Sequence, residues 1–191
     1  MGNNHLDTTL FDKAVLFAVK AHAGTERRGK SFPYIVHPME AASIVATMTS
    51  DQEMLAAAML HDTVEDTDVT IDDIRKEFGD RVAMLVETES DKFVEGVRDE
   101  ESWYQRKQAA ITRLASAPMD AKIVALGDKL SNARAIYRDY MIQGDELWKI
   151  FHIKEKPAHK WHYEGLAESL RELSGTYAYQ EFEYLIHRIF D

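Results

Sequence analysis

Apolar residues recur three and four positions apart along most of this chain, which is the spacing that places them on one face of an α-helix. The first such stretch follows Asp7 and Thr8, which can cap a helix, and it ends near Ala23, before Gly24. Three later helices are predicted from their first residues: one has Pro38 at its first position, one is capped by Asp51, and a short one is opened by a capping box of Thr70 and Asp73. The apolar spacing predicts further helices around 82–86, 103–115, 121–140, 157–173 and 176–190. Since no stretch reads convincingly as a strand, the predicted fold class is all-α, a compact multi-helix bundle.

The helix that follows Asp51 differs from the others, because the run 54–60 has no polar face. A helix of this kind is buried on all sides. It leads directly into His61 and Asp62, with Glu65 and Asp66 one turn later. Ionised side chains seldom leave water unless they are paired or bind a metal. A solvated acidic turn at a helix end is the alternative, and the rest of the chain has to decide between the two.

Two more polar residues fall where the predicted helices are buried. His37 lies at or near the start of the helix that begins with Pro38, and Asp128 lies beside Gly127 inside the helix 121–140. An Asp next to a Gly is a poor sequence for the middle of a helix, and such departures tend to mark a site. Asn132, four residues after Asp128, shares its helix face.

Collected together, these groups predict a metal site with a water-activating pair beside it. Two imidazoles and two carboxylates suit a first-row divalent ion or zinc. Four protein ligands leave an octahedral ion with open positions for water and for substrate oxygens. Carboxylates one turn further on could orient and deprotonate the attacking water. The candidate ligands are His37, His61, Asp62 and Asp128, and the candidate catalytic pair is Glu65 and Asp66.

Three polar segments flank these candidates. The loop 25–38 carries three basic residues and two aromatic ones, and it is either a solvated loop or a strap over a phosphorylated, ring-bearing ligand. The charged segment 90–102 contains Gly96 and is predicted to be an exposed, mobile loop that could act as a lid. In the segment 152–162, Lys154, Lys156 and Lys160 either contact distal phosphates or lie at a solvated helix start.

Composition narrows the function classes. A chain of 191 residues suggests one domain, and the absence of cysteine excludes a thiolate zinc site, a cysteine nucleophile and a disulfide scaffold. With 23 basic and 33 acidic residues the formal net charge is -10, which argues against nucleic acid as the main partner. Neither a signal peptide nor a membrane-spanning run is present, so we expect a cytoplasmic protein with a small-molecule partner and no membrane association. Self-association into a homo-oligomer is left open.

The chain resembles the HD superfamily of metal-dependent phosphohydrolases, and more closely the hydrolase domain of the RelA/SpoT alarmone enzymes and their free-standing small relatives, including the metazoan SpoT homologue. The matching segments are 28–38, 60–67 and 126–134, and the resemblance covers roughly residues 8–140. It implies an Mn²⁺ ion on the four candidate ligands, Glu65 and Asp66 as the catalytic acidic pair, and a nucleotide held by Arg28, Lys30, Ser31 and Asn132. It also implies hydrolysis of the 3′-diphosphate of guanosine tetra- or pentaphosphate (ppGpp or pppGpp) to GDP or GTP and pyrophosphate. Synthesis of these nucleotides is not expected.

Two departures from the family pattern keep other readings open. Gly29 follows Arg28 where a second basic residue is usual, and Ala135 offers no polar group near the expected base. The substrate could therefore be another nucleotide phosphate, such as the 2′-phosphate of NADPH or a toxic alarmone analogue. A non-catalytic HD module that binds a nucleotide is the alternative from a different class. In each case residues 1–191 are expected to form a single domain, with a core over about 8–140 and the helices of 145–191 packed on it.

Overall fold

A computed structural model of the protein describes residues 7–27, 29–89 and 100–191. The α-helices in these ranges are α1 (Thr9–Ala21), α2 (Val36–Val45), α3 (Gln52–Leu60), α4 (Thr63–Asp66), α5 (Ile71–Phe78), α6 (Asp80–Glu89), α7 (Glu100–Ala115), α8 (Met119–Gln143), α9 (Lys156–Ser169) and α10 (Tyr177–Phe190). Two 3-10 helices, Gly144–Ile150 and Arg171–Leu173, flank α9. The β-pairing found within these ranges is an isolated bridge between Glu26 and Pro33. The all-α prediction is confirmed.

Helix α3 is the buried centre that the sequence predicts. All seven residues of the apolar run 54–60 are buried. The side chain of Asp51 accepts hydrogen bonds from the backbone N–H groups of Glu53 and Met54, which satisfies two donors that a helix start leaves without partners. Helices α1, α2, α6 and α8 pack around α3. The C-terminal end of α3, with His61 directly after it, is therefore held inside the protein.

Helix α8 joins two hydrophobic clusters. Near its start, Ala121 and Val124 belong to a cluster built with α1, α3, α5 and α6. Further along, Leu126 and Leu130 belong to a second cluster with α9 and α10. Asp128 lies between Leu126 and Leu130, within the part of α8 that belongs to the second cluster, and is therefore buried.

Helix α2 begins earlier than predicted. Its first residue is Val36, so that Pro38 is the third residue of the helix and not the first. The first-turn N–H groups of a helix have no acceptor within the helix, and a proline there costs no hydrogen bond. The backbone N–H of His37, in the same first turn, donates to the carbonyl oxygen of Tyr34, which lies before the helix, at 2.9 Å. His37 therefore lies within the first turn of α2, where its side chain is buried.

The other boundaries follow the sequence closely. The capping box of Thr70 and Asp73 is present, and Gly79 ends α5 with a φ of 90°. The predicted helix 157–173 is divided into α9 and the 3-10 helix Arg171–Leu173, and the 3-10 helix Gly144–Ile150 was not predicted. The predicted lid, 90–102, falls mainly on residues 90–99, which lie outside the described ranges, while 100–102 begin α7. No helix in the described parts of the chain is both long and apolar enough to cross a bilayer.

Candidate metal centre and nucleotide cavity

The four candidate ligands come from different parts of the chain and lie close together. His37 comes from the first turn of α2, His61 follows α3, Asp62 precedes α4, and Asp128 lies in the middle of α8. The two Nε2 atoms are 3.2 Å apart. Oδ1 of Asp128 lies 3.0 Å from Nε2 of His37 and 3.5 Å from Nε2 of His61. Oδ2 of Asp62 lies 3.4 and 3.1 Å from the same two nitrogens.

These separations are those of ligands around a single ion. Ligand atoms about 2.1 Å from a metal lie about 3.0 Å apart at right angles and about 3.4 Å apart at tetrahedral angles. His37, His61 and Asp128 offer ligand atoms that all lie within 4.8 Å of one another, and each residue is buried. Asp62 is outside this group of three, and its carboxylate approaches both imidazole nitrogens from the side of α4. The geometry and the donor types both fit a divalent ion.

The hydrogen bonding of His61 also fits a metal ligand. Its Nδ1 lies 2.8 Å from the carbonyl oxygen of Ala58. A carbonyl can only accept, so the proton of the neutral ring is on Nδ1 and a lone pair is on Nε2. This is the arrangement in which metal-binding histidines are held by their second nitrogen. The lone pair points to the place where the four ligand atoms converge.

The electrostatics of the cluster favour a positive charge at its centre. Burial alone would raise the pKa of Asp128, but Lys129 and the two imidazoles hold it well below its usual value. Burial would also raise the pKa of Asp62, and His61 and His37 hold it low in the same way. Burial would lower the pKa of His61, but Asp62 and Asp128 raise this pKa well above its usual value. Lys129 and the imidazoles offset the negative charge of the two carboxylates in this structure, a role that a bound divalent ion would share.

The four candidate ligands, here called the metal cluster, line a cavity of about 350 Å³. Glu65 and Asp66, in the short helix α4, line this cavity together with the four candidate ligands, and both residues are exposed. A second cavity of about 460 Å³ adjoins it. Residues that line both cavities include Arg27, Tyr34, Asn132 and Tyr163. The combined space is of the size that holds small-molecule ligands.

The same cavity has a set of aromatic lining residues, here called the aromatic wall. They are Trp103, Phe151, His159, His162 and Tyr163. The ring centroid of Trp103 lies 5.7 Å from that of His159 and 6.1 Å from that of His162. Nδ1 of His162 has no hydrogen-bond partner among the described residues. The cavity therefore combines a polar candidate metal site with a lining of aromatic rings.

The sequence model of the HD domain family matches residues 14–148, which is most of the chain and includes all four candidate ligands. The chain belongs to the HD domain family.

Curated relatives of this HD protein carry the names of alarmone enzymes. It is 33% identical to human guanosine-3′,5′-bis(diphosphate) 3′-pyrophosphohydrolase MESH1 over 86% of this chain and 84% of the human protein. It is 31% identical to the zebrafish (Danio rerio) protein of the same name over 92% of this chain and 90% of that one. It is also 36% identical to guanosine-3′,5′-bis(diphosphate) 3′-pyrophosphohydrolase of Aquifex aeolicus, over 65% of this chain but only 17% of that longer enzyme.

Solved structures share its fold. A metazoan ortholog of SpoT that hydrolyzes ppGpp superimposes with a TM-score of 0.77 at 23% identity, covering 96% of this chain and 97% of that one. The crystal structure of a Listeria monocytogenes protein superimposes with a TM-score of 0.70 at 27% identity, covering 85% of this chain and all of that one. At 23% identity, the superposition on the metazoan SpoT ortholog supports the fold alone.

The HD protein brings only some of the predicted nucleotide contacts to the cavities. Asn132 lines both cavities, donates to Oδ1 of Asp128 at 2.5 Å and accepts from Arg27. Lys30 lines the second cavity, where it is paired with Asp139. Ser31 is exposed and is not among the residues that line either cavity, and Arg28 lies outside the described ranges.

Lys160 is held elsewhere. Its Nζ lies 2.7 Å from Oδ1 of Asp191, and it is not among the cavity-lining residues. On α9 the side chains that line the cavity are His159, His162 and Tyr163, because successive residues of a helix point in different directions. The structure therefore does not bring Lys160 to the site.

Sequence reasoning missed several residues around the ligands. The hydroxyl of Tyr34 donates to Oδ2 of Asp62 at 2.6 Å, and Nζ of Lys129 lies 2.6 Å from Oδ2 of Asp128. Ser131 Oγ lies 2.9 Å from Nδ1 of His37 and donates to Glu40 at 2.8 Å. A signal was present for two of them, because Glu40 is three residues after His37 on α2 and Ser131 is three residues after Asp128 on α8. On a helix, this spacing places side chains next to each other.

Proposed function

We propose that this chain is a divalent-metal-dependent phosphohydrolase that removes the 3′-diphosphate of ppGpp or pppGpp. The products are GDP or GTP and pyrophosphate. The observation that carries the proposal is that two imidazole nitrogens lie 3.2 Å apart, each 3.0 to 3.5 Å from an oxygen of Asp62 and of Asp128, in a cavity that Glu65 and Asp66 also line. The substrate is taken from the names of the human and zebrafish relatives, which align over most of their own length.

His37, His61, Asp62 and Asp128 would hold the ion, and we propose that it is Mn²⁺. A mixed set of nitrogen and carboxylate ligands suits a first-row divalent ion. When bound, such an ion polarises a phosphate oxygen and lowers the pKa of a coordinated water.

Glu65 and Asp66 supply the acid–base chemistry in this proposal. A water molecule attacks the phosphorus attached to the ribose 3′ oxygen, and one of these carboxylates accepts the proton that the water loses. A bond forms between the water oxygen and phosphorus, the bond from phosphorus to the 3′ oxygen breaks, and the 3′ oxygen takes up a proton. Both side chains are exposed to the cavity, as a base that contacts solvent water must be.

The second cavity is the proposed place of the nucleoside. The guanidinium carbon of Arg27 lies 5.1 Å from the centre of the Tyr34 ring, which leaves a flat cationic group at the junction of the two cavities. Guanidinium groups stack on aromatic rings and pair with phosphates. Asn132 and Lys30 lie along the same cavity, and Arg28 and Ser31 remain proposed nucleotide contacts on the resemblance alone.

The test is a metal-replete assay on purified protein, with identification of the products. With Mn²⁺ and ppGpp we expect GDP and pyrophosphate in equal amounts, and no turnover by Asp62→Ala. Absence of turnover with Mn²⁺ and with other divalent ions would overturn the proposed reaction. Tight binding of ppGpp without turnover would instead support the non-catalytic nucleotide-binding module.

The aromatic wall favours one second candidate, a phosphohydrolase that acts on another nucleotide. Trp103, His159 and His162 line the same cavity as the metal cluster, and Ala135 presents only a methyl group to the second cavity. A ring-bearing group beyond the scissile phosphate would pack against this wall. A panel that compares ppGpp with NADPH and with adenine-based alarmone analogues separates the candidates by their kcat/KM values.

The remaining expectations belong to the same proposal. We propose that residues 1–191 act as one HD domain, which the packing of α10 on α8 and of α9 on α7 supports. A net charge of -10 supports a small nucleotide as the partner in preference to nucleic acid, and a cytoplasmic location fits such a substrate.

A further inference from the structure

One metal ligand is held by a hydrogen-bonded chain of side chains that reaches the C-terminal helix. Nδ1 of His37 lies 2.9 Å from Oγ of Ser131, and this hydroxyl lies 2.8 Å from Oε2 of Glu40. The other oxygen of Glu40 lies 3.3 Å from Nη1 of Arg134. Arg134 in turn makes two hydrogen bonds to Glu181 of α10, at 2.7 and 2.6 Å.

The direction of these hydrogen bonds follows from the chemistry of the groups. A serine hydroxyl has one proton, and Glu40, whose carboxylate faces the guanidinium of Arg134, accepts it. The hydroxyl can then only accept from Nδ1 of His37. The ring proton of neutral His37 is therefore on Nδ1, and Nε2 presents a lone pair to the metal cluster.

The two histidines obtain this tautomer in different ways. His61 donates to the backbone carbonyl of Ala58, an acceptor that no side-chain substitution removes. His37 instead depends on a hydroxyl that could equally well donate to Nδ1, in which case the ring proton would move to Nε2 and block metal binding. Glu40 decides between the two states, although it contacts neither the metal cluster nor the cavity in the described structure.

We propose that Glu40 and Ser131 are positioning residues that fix the metal-binding tautomer of His37. Glu40 acts through Ser131, and Arg134 holds Glu40 in place from α8. The inference rests on the metal site of the proposed function and is independent of the substrate. Groups that hold a metal-bound histidine in this way typically contribute about 10- to 100-fold to metal affinity.

The experiment is a titration of the full chain with Mn²⁺, in which the free ion is followed by electron paramagnetic resonance. We expect Ser131→Ala and Glu40→Ala each to weaken Mn²⁺ binding by about 10-fold or more. The matched controls are Ser43→Ala, an exposed serine on the same helix as Glu40, and Glu183→Ala, an exposed glutamate near Glu181. Both controls are expected to bind Mn²⁺ as the unsubstituted chain does.

The double variant distinguishes positioning from a general loss of structure. If Glu40 acts through Ser131, then Glu40→Ala should weaken Mn²⁺ binding no further once Ser131→Ala is present. Additive losses in the double variant would overturn the inference, as would Mn²⁺ affinities equal to that of the unsubstituted chain. Glu40 is about one quarter exposed, so its removal leaves a testable variant even if Ser131→Ala does not fold.

A spectroscopic measurement reports the tautomer directly. In protein saturated with a diamagnetic divalent ion, imidazole ¹H–¹⁵N spectra should show the His37 proton on Nδ1, the nitrogen next to Ser131. Glu40→Ala should shift population to the form with the proton on Nε2. An unchanged tautomer would contradict the inference. Failure of the unsubstituted chain to bind any divalent ion would contradict the proposed metal site instead, and the two failures are thus distinguishable.

Discussion

At the scale of single residues, the candidate ligands Asp62 and Asp128 are more buried than Glu65 and Asp66. The side chain of Asp62 is 18% exposed and that of Asp128 is 9% exposed, and both contact the imidazoles. Glu65 and Asp66 are exposed to the cavity. Burial removes a carboxylate from water and makes a cation necessary, whereas an exposed carboxylate can exchange protons with a water molecule. The two pairs should therefore respond differently to substitution.

Asp62→Ala is expected to remove metal binding. The substitution deletes one of the four candidate ligand atoms and leaves Asp128 as the carboxylate next to the two imidazoles. We expect the Mn²⁺ affinity to fall by more than the roughly 10- to 100-fold that is typical of groups around a ligand. Calorimetric titration with Mn²⁺ measures this loss, and an affinity within threefold of the unsubstituted chain would exclude Asp62 as a ligand.

Glu65→Ala is expected to keep the metal and lose rate. The carboxylate lies outside the ligand cluster, so the Mn²⁺ titration should be unchanged. A positioned general base typically contributes about 10²- to 10⁴-fold, and kcat on ppGpp should fall within that range. Asp68→Ala, which removes an exposed carboxylate just beyond α4, is the control and should retain full activity. A loss of metal in Glu65→Ala would instead show that its role is structural or ligating.

Residue identity singled out the candidate ligands more readily than the residues around them. His37, His61, Asp62 and Asp128 could be recognised because each is a polar residue placed where a helix has to be buried. Ser131 and Glu40 gave no such contrast, since serine and glutamate are ordinary on a helix surface. The positioning role proposed for them depends on which neighbour receives a single proton, and that is decided by tertiary contacts between α2 and α8.

At the scale of helices, the close approach of α2 to α8 places His37 beside Asp128. Gly127 makes this approach possible. A Cβ at this position would lie 2.6 Å from Cγ2 of Val45 and 2.8 Å from the carbonyl oxygen of Ala41. The Gly-Asp pair that looked like poor helix-forming sequence is therefore a packing requirement next to a ligand.

Gly127→Ala is expected to destabilise the protein and to impair the metal site together. A methyl group would push α2 away from α8, and overpacking of this kind costs about 1–3 kcal/mol. The free energy of unfolding from urea titrations measures the first effect, and Mn²⁺ affinity measures the second. Gly175→Ala, where a Cβ meets no atom within 4 Å, is the control. A stable Gly127→Ala protein with normal metal affinity would refute the packing argument.

Helix boundaries were predictable where a side chain or a glycine sets them. Asp51, the capping box at Thr70 and the positive φ of Gly79 are local features, and the sequence contains all three. The start of α2 was predicted two residues late because Pro38 is also compatible with the third position of a helix. The 3-10 helix Gly144–Ile150 escaped prediction because so short an element has no clear apolar period.

At the scale of the whole molecule, the candidate metal site lies where elements of the two hydrophobic clusters meet. His61 and Asp62 follow α3, whose buried residues belong to the first cluster, and Asp128 lies on α8 between Leu126 and Leu130, which belong to the second. A bound ion would link these elements at their point of contact. Because the unfolded chain cannot assemble this site, the binding free energy is added to the stability of the fold.

Divalent metal should therefore raise the melting temperature of the protein. An ion at about 100 times its dissociation constant adds about 2.7 kcal/mol, which corresponds to about 5–11 °C for a chain of this size. Thermal unfolding of chelator-treated protein, with and without Mn²⁺, measures the shift. Asp128→Ala removes a ligand that both imidazoles contact, and its melting temperature should not respond to the ion. An equal shift in this variant would mean that the stabilising ion binds elsewhere, and the link between the clusters would then have to come from side-chain packing along α8.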